Sequence, residues 1–242
     1  MKGFLLKKLG LSQEQTLIDK AARLVACEMV EGDYLEFGVY RGKSFSEAYH
    51  ALDQQFKSRI NLKIGGQKED KLQGKRRKLW AEMRFFAFDS FEGLPDLSVE
   101  DAQLESFSPG EYACSEDEFE RNLLKYKVPP ERVEIIPGWF EDSCTDVVKQ
   151  EIKLKKAAIV WIDCDLYSST QTVLAFITDL LQDGTIIIFD DWFCNKASPF
   201  QGEQRAFREW RESLGDKFFF QEYQRENWRR LSFVVSVNPD AT

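Results

Sequence analysis

The chain has 242 residues, a net charge of −8 and a pI near 5.0. Its length fits one domain with a core that needs no disulfides, and its acidity argues against nucleic acid or an anionic membrane as partner. Five cysteines (Cys27, Cys114, Cys144, Cys164, Cys194), odd in number and without a CxxC pair, fit the reduced thiols of a cytoplasmic protein rather than a secreted framework or a zinc site.

The stretch from Met1 to Leu6 is too short for a signal peptide or a membrane span. Leu17, Ile18, Ala21, Leu24, Val25 and Met29 then form a helical stripe over 15–29, within an N-terminal helical segment of residues 1–31. Tyr34–Val39 reads as the first strand and Ser44–Phe56 as a helix. Residues 57–84 break the rhythm with Gly65-Gly66 and Lys75-Arg76-Arg77-Lys78; this basic insertion reads as a solvated loop or short helix in preference to a phosphate or acidic-partner contact. Arg84–Asp89 is the second strand. The long acidic segment 91–113, interrupted by proline, has the length of a lid. Ser115 with Glu118 suggests a capping box for a helix to Lys125. Strand Val133–Ile136, helix Asp142–Ile152, a strand ending at Asp163, helix Ser169–Leu181 and a strand ending at Asp190 follow. A helix over Gln204–Leu214 and two strands, Phe218–Tyr223 and Leu231–Val237, close the chain as an antiparallel pair. Five β-α units and a terminal hairpin describe one wound sheet in a single domain.

Two of the apolar strands end on acids: Ala158–Ile162 leads into Asp163-Cys164-Asp165, and Thr185–Phe189 leads into Asp190-Asp191. Acids at the carboxyl ends of parallel strands emerge along one edge, where open α/β sheets bind ligands. Their mutual repulsion requires protons or a cation, and hard oxygen donors suit Mg²⁺, Ca²⁺ or Mn²⁺.

Glu36-Phe37-Gly38-Val39-Tyr40-Arg41-Gly42-Lys43-Ser44 turns the first strand into its helix. Glycine there lets a ligand approach the backbone, and the helix amino terminus offers free N–H groups. The turn has three residues between its glycines, where a P-loop has four. Glu36 would also repel a phosphate. A methyl-donor turn is favoured over a nucleotide hydrolase or phosphotransferase.

The run from Glu36 to Gly42 resembles the first motif of class I S-adenosylmethionine-dependent methyltransferases. Phe88–Pro95, Pro137–Asp142, Asp163–Thr170 and Asp190-Asp191-Trp192 together resemble the macrocin O-methyltransferase (TylF-like) family, in order from about residue 33 to 210. Trp192 stands where that family more often has Tyr. The resemblance implies a Rossmann-like class I methyltransferase fold, mostly parallel and seven-stranded with a C-terminal antiparallel hairpin. It also implies a divalent-metal-dependent O-methyltransferase acting on a sugar hydroxyl. Glu36, Gly38 and Gly42, with Tyr40 and Ser44 in the same turn, would hold the methionine end of S-adenosylmethionine. Asp89 would bond the ribose, with Ser90 and Phe91 beside it. Gly138, Trp139 and Phe140 would flank the adenine, Trp139 being equally well placed as a core aromatic. Asp163, Asp190 and Asp191 would hold Mg²⁺ or another hard cation. Asp165 would be a fourth acid of the site, a donor contact or a cap for the next helix.

A hydroxyl is a poor nucleophile until a metal chelated by two neighbouring oxygens lowers its pKa, so the expected acceptor is a small molecule with a vicinal diol or a catechol. The single histidine, His50, reads as structural, which leaves a carboxylate, Asp163 first, or a water as base. A non-catalytic donor-binding module is disfavoured by the intact acid cluster. Homo-oligomer formation stays open.

Overall fold

Five short strands rich in branched and aromatic residues lie side by side: β1 (Asp33–Phe37), β2 (Phe85–Asp89), β3 (Val133–Pro137), β4 (Ala157–Ile162) and β5 (Ile186–Phe189). The computed structural model describes residues 15–62, 67–103 and 107–241. All five strands are parallel, and every residue of β1, β4 and β5 is buried, as in a sheet covered on both faces. β7 (Arg230–Val237) runs antiparallel between β5 and the edge strand β6 (Phe218–Glu226), giving the order β3-β2-β1-β4-β5-β7-β6. This is the seven-stranded, mostly parallel sheet with a C-terminal hairpin expected from the sequence. The order reverses between β1 and β4, so a crevice opens beyond their carboxyl ends.

Around the sheet the helices are α1 (Leu17–Glu28), α2 (Lys43–Ile60), α3 (Gln67–Glu82), α4 (Glu116–Lys125), α5 (Phe140–Ser143), α6 (Asp146–Glu151), α7 (Tyr167–Ile177) and α8 (Gly202–Leu214). The two-residue period of the strands divides the core into layers. Tyr34, Ile186 and Ile188 face α1 and α2, whereas Leu35, Phe37, Ile187 and Phe189 face α7 and α8. Parity therefore points Glu36 into the α1–α2 layer.

Several boundaries differ from expectation for local reasons. The first helix starts at Leu17 because Thr16 and Asp19 form a capping box, and it stops where Met29 turns left-handed at φ 57°. Residues 1–14 lie outside the described residues. The insertion expected as loop or short helix over 57–84 is largely helical: α2 continues to Ile60 and α3 takes up 67–82. Its end is tied down, because Trp80 stacks on Phe56 at 5.4 Å and lies 4.3 Å beneath the Arg132 guanidinium. The single helix expected over 142–152 is two, since Thr145 caps α6 by accepting from Val148 N at 3.3 Å.

Candidate active site

β1 ends in a turn that only glycine allows. Gly38 has φ +84°, and a Cβ there would come within 2.0 Å of the Asp163 carbonyl oxygen. Gly38 therefore serves packing of the β1 end against the β4 end. Asp89, closing β2, clamps the turn: its Oδ2 accepts from Val39 N at 2.8 Å and Tyr40 N at 3.1 Å, and its Oδ1 from Phe91 N at 2.8 Å. Burial raises its pKa against the pull of those three donors.

One cavity sits beyond these strand ends. Gly38, Tyr40, Asp89 and Ser90 line one side, Trp139 and Phe140 another, and Asp163, Asp165 and Arg229 a third. Leu94, Pro95 and Tyr112 reach it from the segment expected as a lid. Residues 104–106 of that segment lie outside the described residues.

Other residues expected at the donor stand behind the cavity wall. Glu36 is fully buried; its carboxyl accepts from Ser44 Oγ at 2.6 Å and bonds the Tyr34 hydroxyl. Burial pushes it up to about 8, with both hydroxyls opposing. The expected donor contacts of Glu36 and Ser44 become a brace beneath the turn. Gly42, at φ +75°, leaves room for Phe119, whose ring a Cβ would meet at 2.8 Å. Phe91 packs its ring on the same Phe119 at 5.7 Å. Gly138 donates its N–H to the Asp89 carbonyl at 3.0 Å and so sets the level of Trp139.

The acids gather at the ends of β4 and β5. Asp163, Asp165 and Asp191 can each bring one oxygen within 4.8 Å of the others. Asp165 occupies a left-handed conformation, φ 57°, just past β4. Asp190, which the sequence reading places among the ligands, has both oxygens paired with arginines: Arg230 Nε bonds its Oδ1, and Arg229 Nη2 lies 2.6 Å from its Oδ2. Asp191 Oδ1 accepts from Arg229 Nη1 at 2.7 Å and Cys194 Sγ at 3.3 Å, while its buried Oδ2 has no hydrogen-bond partner. Burial first, then Asp190, Asp191 and Asp165, drives the Asp163 carboxyl well above the carboxylate range. Asp165 is pushed up to about 8, by burial and then by Asp191. An orphaned buried carboxylate oxygen beside two more acids is a donor set that suits a hard divalent cation.

Four participants escaped the sequence reading. Glu203, buried in the first turn of α8, accepts from Asp191 N at 3.0 Å, and burial followed by Asp191 raises its pKa well above normal. Arg229 and Arg230 were signalled only as adjacent arginines in the terminal hairpin, opposite unbalanced acids. Asp101 caps α7, accepting from Tyr167 N at 2.8 Å and Ser168 Oγ at 2.7 Å, so Asp165 does not serve as that cap. Ser98-x-x-Asp101 was its signal, since Ser98 Oγ donates to Asp101 Oδ2 at 2.7 Å. His50 is exposed on α2 with Nε2 2.7 Å from the Tyr126 carbonyl oxygen, a structural position. No helix among the described residues is long and apolar enough to cross a membrane.

The family described as macrocin-O-methyltransferase (TylF) matches residues 72–216, from inside α3 to just past α8; the glycine turn precedes the matched stretch. Among curated proteins, the 8-demethyl-8-(2,3-dimethoxy-alpha-L-rhamnosyl)-tetracenomycin-C 4'-O-methyltransferase of Streptomyces olivaceus is 26% identical over 174 residues, covering 69% of this chain and 56% of that protein. The demethyldecarbamoylnovobiocin O-methyltransferase of Streptomyces niveus is 30% identical over 124 residues, 49% of this chain and 45% of its own. The chain thus spans about half the length of these relatives. The solved O-methyltransferase NovP has the same fold, with a TM-score of 0.65 at 20% identity over 90% of this chain and 78% of that one.

Proposed function

Because the chain belongs to the macrocin-O-methyltransferase (TylF) family, we propose that it transfers a methyl group from S-adenosylmethionine to a hydroxyl of a sugar carried by a natural product or glycan, with a divalent cation in the acid cluster. One observation carries this reading: the clamped glycine turn, an aromatic wall and the acids Asp163 and Asp165 share a single cavity. The rhamnosyl group in the name of the tetracenomycin relative favours a sugar over a catechol. A negative chain disfavours a polyanionic acceptor.

Gly38 lets the donor approach the backbone, Asp89 faces its ribose, and Trp139 offers a ring face to its adenine. Glu36 and Ser44 support the turn from below. S-adenosylmethionine supplies an electrophilic methyl carbon, so the protein's task is alignment of an in-line displacement. The acceptor oxygen bonds that carbon as the carbon–sulfur bond breaks, and the hydroxyl proton passes to a carboxylate. Asp163, the base expected from the sequence, lines the cavity beside Asp165, and either carboxylate is placed to take that proton. Asp163, Asp191 and Asp165 would hold the cation, and Asp190 would join them only on leaving its arginines. Bound there, a divalent cation lowers the pKa of an acceptor hydroxyl and orients it.

Calorimetric titration with S-adenosylhomocysteine tests the donor site. Binding with a raised melting temperature is expected. Micromolar ATP binding with no S-adenosylhomocysteine binding would overturn the proposal.

A further inference from the structure

Arg229 bridges the two acids that end β5, one guanidinium nitrogen on each, as a bound cation would. Its neighbour Arg230 plays a different part. Arg230 is the less exposed of the two, and it links Asp190 to Glu226 at 2.9 Å within the hairpin. Asp190 therefore keeps a permanent counter-charge whatever Arg229 does. Arg229 projects from the turn between β6 and β7, its side chain is 35% exposed, and it lines the cavity. It is the cationic group of the site with room to move.

We infer that Arg229 is an exchangeable internal counter-ion, which balances Asp191 in the metal-free protein and yields that carboxylate to a divalent cation. The inference rests on the proposed cation site. Its physical basis is charge count and geometry. Asp163, Asp165, Asp190, Asp191 and Glu203 crowd one region, and Arg229 and Arg230 are the arginines paired with them. Asp191 already presents Oδ2 without a partner, so withdrawal of the guanidinium from Oδ1 would free the whole carboxylate apart from the Cys194 thiol. A long arginine stem on a hairpin turn allows that withdrawal without strand movement. The released fork would then face the cavity.

Mn²⁺ binding measures this directly, by the electron paramagnetic resonance signal of free Mn²⁺ during titration of the whole chain. A like charge about 5 Å from a bound ion opposes it strongly even at an effective dielectric near 20, so Arg229→Gln is expected to bind Mn²⁺ at least ~10-fold more tightly than the natural protein. Arg229→Lys keeps the charge but cannot bridge two carboxylates, and an intermediate gain is expected. Arg225→Gln removes the same charge from the same hairpin, where Arg225 pairs with Glu222 at 2.7 Å, and should leave affinity unchanged. In EDTA, Arg229→Gln should melt below the natural protein, because the acids lose their counter-ion. Equal or weaker Mn²⁺ binding by both Arg229 variants would overturn the exchange and make Arg229 an orienting group. Failure of every protein, the natural one included, to bind Mn²⁺ would instead remove the cation site beneath it.

Discussion

Asp101 offers the clearest test of how the segment over the cavity is held. It is fully buried, and its carboxylate accepts from Tyr167 N at 2.8 Å, Ser168 N at 3.3 Å, Ser168 Oγ at 2.7 Å and Ser98 Oγ at 2.7 Å. Replacement by alanine strands two amide donors at the amino end of α7, while the two hydroxyls can rotate to other acceptors. Loss of a helix cap costs about 1 kcal/mol, and a buried donor without a partner adds roughly 1–3 kcal/mol, so Asp101→Ala should cost about 3 kcal/mol. For a chain of this size, each kcal/mol moves the midpoint by about 2–4 °C, so scanning calorimetry should show a fall of roughly 6–12 °C. Asp101→Asn keeps one acceptor oxygen and should lose about half as much. Because the same anchor holds the stretch that brings Leu94, Pro95 and Tyr112 to the cavity, affinity for S-adenosylhomocysteine should also fall in both variants. A midpoint shift for Asp101→Ala no larger than that of a surface substitution would refute the anchoring role.

Gly38→Ala should lose donor binding and destabilise the fold, since its Cβ would meet the Asp163 carbonyl oxygen at 2.0 Å; unaltered donor titration would sink this. Gly74→Ala, in α3 with open space around it, should instead stabilise by about 1 kcal/mol in urea melts. Glu36 is pushed up to about 8 in the fold from an ordinary 4.5, so between those values the native state holds a proton that the unfolded chain has released. Stability from this group therefore declines as pH rises through that window, and Glu36→Gln should flatten the decline in melts run from pH 5 to 8. EDTA should abolish methyl transfer and Mg²⁺ restore it, with Asp191→Ala beyond rescue at ordinary Mg²⁺; full turnover in EDTA would leave the acids a structural role only.

The succession of strands and helices along the chain, and the edge that bears the acids, were legible because they follow from hydrophobic patterning. Runs such as Ala158–Ile162 and Thr185–Phe189 have no other stable place than a sheet covered on both faces, and acids at their ends must emerge together. What the sequence could not disclose was direction across the sheet. Glu36 was legible as part of the glycine turn, yet strand parity sends its carboxyl to Tyr34 and Ser44 and away from the cavity. Asp190 and Asp191 are adjacent in sequence, but only the register of β5 against β7 shows that Arg230 claims the first. Long-range partners such as Asp101 with Tyr167 carry no periodic signal, and the break at Thr145 depends on one side chain outcompeting the helix for an amide.

The contact of Gly38 with the Asp163 carbonyl has a consequence for anyone who would redesign this protein. The glycine turn that lines the cavity and the strand end that bears the acids meet at one atom-to-atom joint with no slack. A substitution that shifts either partner is transmitted to the other, so donor preference and acid geometry cannot be altered separately from that point. Leu94, Pro95 and Tyr112 touch the same cavity from a segment that carries neither partner of the joint. New acceptors are best sought there, with the joint left alone.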